Sequence, residues 1–273
     1  MKVIFLDYGV FMHRAIFAWR MNKAVPPTYT ALSMMLANLK RVGVSPEDQV
    51  IVAVDSPHGS WRREVDANYK ADRRGKRQAQ TDIAWDKMFE MFNKLKANLN
   101  ISTPFHIIEL EKLEADDIIG FGVRYYKDNK CVIVSTDTDF EQLASLSNVR
   151  LFSPITKCYK NIEHPDFIIA KKMRKEATDN LKTEVLNEED YIKRLTIIDL
   201  LHLPVEVETA VQDAFEHLEM NKAFDYELLP FRTIKNNFME IYNSNKIVKE
   251  DTYGKAKKRK KKAVRNEEEV SQK

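Results

Sequence analysis

The sequence predicts an α/β protein: a mostly parallel central sheet with helices on both faces, then a helical C-terminal region and a basic disordered tail. Three observations point there. Short runs of strand length alternate with stretches of helical period, which favours a parallel sheet. The first runs are almost continuously apolar, as strands buried on both faces are. From about residue 164 onward every periodic segment reads as helix.

The elements follow in order. Residues 2–7, "KVIFLD", form a buried strand that ends at Asp7, and a helix covers about 28–42. "QVIVAVD" is a second strand, ending at Asp55, and a polar, basic segment without clean period runs from 56 to about 80. "IAWDKMFEMFNKLKANL" is an amphipathic helix, with Trp85, Met88, Phe89, Phe92 and Leu95 on one stripe as core packing. "FHIIEL" is a third strand, "KLEADDIIGFGVRYYKD" a helix, "KCVIVST" a fourth strand and "DFEQLASL" a short helix. "VRLFSP" is a fifth strand that pairs with "KCYKNI". Helices follow at "PDFIIAKKMRKE", "NEEDYIKRLTIIDLL", "VEVETAVQDAFEHLEM" and "PFRTIKNNFMEIYNSN".

A chain of 273 residues with 44% hydrophobic and 10% aromatic content is long and apolar enough for a proper core. No apolar run approaches the roughly 20 residues of a membrane span, and "MKVIFLDYGVF" suits a core strand better than a signal peptide. Cys131 and Cys158 show neither metal spacing nor a disulfide framework, so a reducing, cytoplasmic compartment is expected. The net charge of +3 is uneven. Residues 252–273 hold nine basic and three acidic side chains, leaving 35 basic and 38 acidic in the other 251. A basic tail of this kind attracts phosphate backbones.

The acids carry the chemistry. Ligands of an open parallel sheet bind beyond the carboxyl ends of its strands, and three strands here end in Asp: Asp7, Asp55, and Asp137 with Asp139. Any one of them is explained as a helix cap. The helix after the third strand adds Glu114, Asp116 and Asp117, with Glu114 and Asp117 sharing a face and Asp116 turned away. Six or seven carboxylates converging without basic neighbours describe a hard-cation site suited to Mg²⁺ or Mn²⁺. More acids than one ion needs suggest two ions and phosphoryl-transfer or phosphodiester chemistry. A phosphatase of the haloacid-dehalogenase type is set aside, because Gly9 stands where its second Asp belongs.

Residues 58–77 hold seven Lys/Arg and three acids, with Trp61 and Tyr69 among them. Because this segment directly follows Asp55, it lies at the mouth of the acidic crevice. Interleaved rings and cations suit unpaired nucleic acid.

"FLDYGVFMHRA", "VAVDSPHGSWRREVDANYKADRRGKR", "KLEADDIIG" and "VIVSTDTDFEQL", in this order, resemble the 5′-nuclease or flap-endonuclease family, a PIN-like fold, and its bacteriophage members above all. The resemblance implies a metal-dependent 5′→3′ phosphodiesterase that removes RNA primers and 5′ flaps in replication. It matches Asp7, Asp55, Glu114 and Asp116 to the first metal, Asp137 to a shared position and Asp139 to a second, with Asp117 near both. It implies nucleic-acid contacts from Trp61, Arg62, Tyr69, Lys70 and Arg73, with Lys70 beside the scissile phosphate. Asp72 replaces the Asn of that family's arch motif.

Further on, the family's Gly-Asp-x-x-Asp-Asn reads "KEATDN" here, which sets Glu176 and Asp179 as the remaining second-metal acids. The family's Gly-rich helix-hairpin-helix corresponds to "LKTEVLNEEDYIKRL", shorter and without glycine, which weakens duplex binding. The expected organisation is a catalytic domain over 1–160 with the arch at about 56–80, a helical region over 161–250 and the tail at 251–273. The implied partners are DNA, RNA–DNA hybrid and a replication protein such as a single-strand binding protein or clamp. Other readings are a non-catalytic replication accessory and a PIN-type ribonuclease for structured RNA.

Overall fold

Six strands form one sheet in the order β3-β2-β1-β4-β5-β6. They are β1 (Lys2–Asp7), β2 (Gln49–Val54), β3 (His106–Glu109), β4 (Lys130–Val134), β5 (Val149–Ser153) and β6 (Cys158–Tyr159). The first five pair in parallel, and β6 returns antiparallel along β5 with Ser153 opposite Cys158. This is a computed structural model; it describes residues 1–175, 181, 185, 187–219 and 222–243. Glu176, Asp179 and the tail at 251–273 lie outside the described residues.

Alternation along the central strands divides the core. Ile4 and Leu6 of β1, Val50, Val52 and Val54 of β2, and Val132 and Val134 of β4 face one layer. Its helices are α1 (Tyr8–Met21), α2 (Pro27–Arg41), α5 (Trp85–Ser102) and α10 (Arg232–Asn243). Val3, Phe5, Ile51, Ala53, Cys131 and Ile133 face the other, against α6 (Ala115–Tyr125) and α9 (Val205–Glu216). Continuously apolar strands are what a sheet covered on both faces requires.

Helix α6 comes unusually close to the sheet. A Cβ at Gly122 would lie 2.5 Å from the Phe5 ring and 2.8 Å from Phe215, and one at Gly120 would lie 2.8 Å from the Leu200 carbonyl oxygen. The two glycines let α6 sit between β1 and α9, and this close packing holds its acidic N-terminus near the strand ends. Residues Met1–Tyr242 form one packing unit, in which α10 shares the core of β1.

Two short helices interrupt the basic segment, α3 (Arg62–Val65) and α4 (Arg73–Gln78). Beyond β6 stand α7 (Ile168–Lys175) and α8 (Glu188–Ile198). Beyond the two short helices of the basic segment, two further elements differ from expectation. Helix α1, which the sequence reading lacks, begins directly after β1 with Asp7 as its N-cap, so no turn residue separates strand from helix. The turn over Asp139–Ser145 is 3₁₀ rather than α.

Candidate active site

The chain order moves outward from β1 to β2 to β3 and then crosses back to β4 on the other side of β1. The sheet therefore changes direction between β1 and β4, where a ligand crevice opens beyond the strand ends. Asp7 stands there as the last residue of β1, with Ser135 just past β4 donating to its Oδ2 at 2.7 Å. Its Oδ1 accepts from the Val10 amide at 3.3 Å, so the capping role is real as well. Asp55, just past β2, accepts from the Ala115 amide at 2.8 Å. A Cβ at Gly9 would lie 3.4 Å from Asp7 Oδ1 and 3.6 Å from Asp55 Oδ2, so both carboxylates converge over that glycine. Among the described residues no Lys, Arg or His pairs with either acid. Burial, reinforced by Asp55, pushes the Asp7 carboxyl up to about 7.

The α6 acids are arranged differently. Glu114 caps the helix, and Asp117 closes a capping box by accepting from the Glu114 amide at 2.8 Å. Arg62 Nη1 lies 3.0 Å from Glu114, 3.5 Å from Asp116 and 3.1 Å from Asp117, while Nη2 is 2.8 Å from Asp117 Oδ1. Its Nε donates to the Ile197 carbonyl of α8 at 2.8 Å. Glu114 also accepts from Tyr69 Oη at 2.9 Å, Ser60 Oγ at 3.2 Å and Lys70 Nζ at 2.6 Å. Burial alone would raise the Glu114 carboxyl, but Lys70 and Arg62 outweigh it and hold it at about 2. Burial, with Asp117 and Glu114 close by, pushes Asp116 well up.

These contacts correct the expectation of acids without basic neighbours and show where the other residues lie. The acids do have basic neighbours. Asp117, expected near both metals, is fully buried, and its oxygens are engaged by Arg62, the Trp61 indole at 3.1 Å and its own helix cap. Trp61, Arg62 and Tyr69 are only 8%, 1% and 4% exposed, with Trp61 bonded to Asp117 and Tyr69 to Glu114. Arg62 is the functional surprise. Its place in a basic, polar run gave it the look of a solvent-facing phosphate contact.

On the other side, Asp137 turns onto its own loop, accepting from the Asp139 amide at 2.8 Å. Burial and the neighbouring Asp139 push its carboxyl up to about 6. Asp139 pairs with Lys172 of α7. No sequence signal marks Lys172, since nothing in the pattern says which face of α7 meets the 139–145 turn.

The basic segment is fastened beside Glu114 by backbone pairing. The Ser56 amide donates to Leu113 O and the Trp61 amide to Lys112 O, both at 2.8 Å. Lys70 adopts φ 53°, a sparsely populated left-handed conformation for such a residue, with its ammonium on Glu114. A cavity of about 1010 Å³ opens beneath this arch. Asp55 and Glu114 line it together with Arg63, Lys70, Arg73, Arg74, Lys76 and Arg77, and with Phe17, Trp85 and Phe89 of α1 and α5.

A family model for the N-terminal, resolvase-like domain of 5′-3′ exonucleases matches residues 2–174. The chain belongs to this family. Ribonuclease H of Enterobacteria phage T4 is 24% identical over 235 residues, covering 79% of this chain and 76% of that protein. A 5′-3′ exonuclease of Buchnera aphidicola is 27% identical over 150 residues, 52% of this chain and 46% of that one. A T5 protein co-crystallised with metal ions superposes with a TM-score of 0.62 at 17% identity, covering 88% and 99% of the two chains. A bacteriophage T5 flap endonuclease in a pseudo-enzyme–product complex with DNA and metal ions gives 0.61, also at 17% and with the same coverage. At such identities the exonuclease fold is what is shared.

Among the described residues, no three acidic, His or Cys side chains stand gathered around one point. Arg62, Lys70 and Lys172 draw Glu114, Asp116 and Asp139 toward themselves instead. The donor chemistry nevertheless fits a hard cation: the acids at the strand ends offer carboxylate oxygen, and the like-charged Asp7 and Asp55 are the kind of pair that a cation relieves.

Proposed function

We propose that this exonuclease-family protein is a divalent-metal-dependent 5′→3′ nuclease that hydrolyses phosphodiester bonds, removing RNA primers and 5′ flaps or ends in replication. The observation that carries the reading is the strand-end pair Asp7 and Asp55, without a basic partner among the described residues, beside a cavity lined by seven Lys and Arg side chains. Asp7, Asp55, Glu114, Asp116 and Asp137 are the acids assigned to Mg²⁺ or Mn²⁺, and Asp139 faces a second position. Such ions neutralise phosphate charge and make a water acidic enough to attack at neutral pH.

The chain's own residues supply the rest. Arg73, Arg74, Lys76 and Arg77 draw a polyanion, DNA or RNA–DNA hybrid, under the arch. Lys70, already at the acids, stabilises the charge that develops on the scissile phosphate. Duplex binding is the weaker part: α8 begins with Glu188, Glu189 and Asp190, a first turn that repels phosphate. No described helix is long and apolar enough to cross a membrane, and action on replicating DNA places the protein in the cytoplasm of a bacterial host. A replication partner such as a single-strand binding protein or clamp belongs to the same reading.

The test is cleavage of 5′-labelled RNA–DNA hybrid and 5′-flap DNA with Mg²⁺. Short 5′ products that disappear in the Asp137→Asn variant are expected. Binding without cleavage would point to a non-catalytic accessory, and cleavage of structured RNA alone to a PIN-type ribonuclease.

A further inference from the structure

We propose that Lys172 supplies the positive charge at the second cation position, so that one divalent ion is firmly held beside a protein ammonium. The proposal rests on the nuclease reading and concerns how its site is neutralised.

Lys172 is not a surface lysine that happens to point at an acid. Its side chain is only 11% exposed and pairs with Asp139. The backbone beneath it is pinned, because the guanidinium of Arg194 on α8 donates to the carbonyl of the next residue, Met173, at 3.0 Å. Arg194 is itself 4% exposed, and Met173 packs with Tyr69, Ile197 and Ile198. Helix α7 also packs against the 139–145 turn, so the lysine and its partner are held by one set of contacts. Asp7 and Asp55, by contrast, pair with no described Lys, Arg or His.

The chemistry is sufficient. A lysine ammonium is a compact charge with three donors, able to serve two carboxylates and a phosphate oxygen. Mg²⁺ sheds its water reluctantly and needs near-octahedral ligands. A position at which Asp139 is already paired with a tethered cation offers it less.

Titrating the full chain with Mn²⁺, and reading free Mn²⁺ by electron paramagnetic resonance, tests this. One tight ion per chain is expected for the wild type and for Lys172→Arg. Lys172→Met should bind a second ion, with that site strengthened by roughly tenfold or more. Two sites of comparable affinity in the wild type would overturn the proposal, and so would an unchanged count in a folded Lys172→Met. The wild-type count needs no variant, and Lys172→Gln is the substitute should the Met variant fail to fold. No bound ion in any form would instead sink the nuclease reading itself.

Discussion

Asp7 and Asp55, at the ends of β1 and β2, face the crevice without a described basic partner, whereas Glu114, Asp116 and Asp117 on α6 share Arg62 and Lys70. The two groups carry the same kind of charge and meet opposite surroundings. In the first, repulsion is left standing for an external cation to relieve. In the second, the protein supplies the cation, and the same guanidinium ties the arch to α6 and α8. The difference separates acids poised for chemistry from acids that also hold the arch in place. Arg62→Met breaks the second group most directly. Removing one partner of a buried ion pair costs roughly 3–5 kcal/mol. The melting temperature in EDTA should therefore fall by roughly 10 °C. A shift within about 2 °C, by the same conversion, would mean that Asp117 does not depend on Arg62.

Lys70 lies on the boundary between the groups, in the arch yet on Glu114. If it serves the phosphate, Lys70→Ala should slow single-turnover cleavage by roughly 10²-fold, the usual loss for one electrostatic stabiliser. Thermal stability should change little, because Glu114 keeps Arg62, Tyr69 and Ser60. The opposite pattern, a destabilised protein with unchanged rate, would place Lys70 with Arg62 as a purely internal counter-ion.

The comparison also shows where sequence reasoning worked. The sheet was legible because apolar runs with Asp at their ends can be little else than parallel strands feeding a crevice, and Asp7, Asp55 and Asp137 came out at three neighbouring strand ends. Helix α1 was hidden because Asp7 both finishes the strand and caps the helix. The inward turn of Arg62 was hidden for a different reason. A charged side chain is rarely fully buried unless paired, and its partners lie more than fifty positions away in α6, a distance that local pattern does not bridge. Lys172 shares that obscurity, since its partner Asp139 is brought to it only by the packing of α7 on the 139–145 turn.

The smallest expected effect tests the comparison most finely. Asp7→Asn keeps the cap on α1 through its Oδ1, because Asn caps as well as Asp does, and its Nδ2 can donate to Ser135 Oγ where the carboxylate accepted. It removes one charge from a set without basic partners, and repulsion between neighbouring carboxylates screened by water is about 1 kcal/mol. In EDTA the variant should therefore melt higher than the wild type, by roughly 2–4 °C, while losing cleavage. The same change at Asp117 takes a charge from a buried pair with Arg62, and should lower the melting temperature instead. If both substitutions shift it in the same direction, the two groups of acids are not neutralised in different ways, and the strand-end acids lose their claim to an external cation.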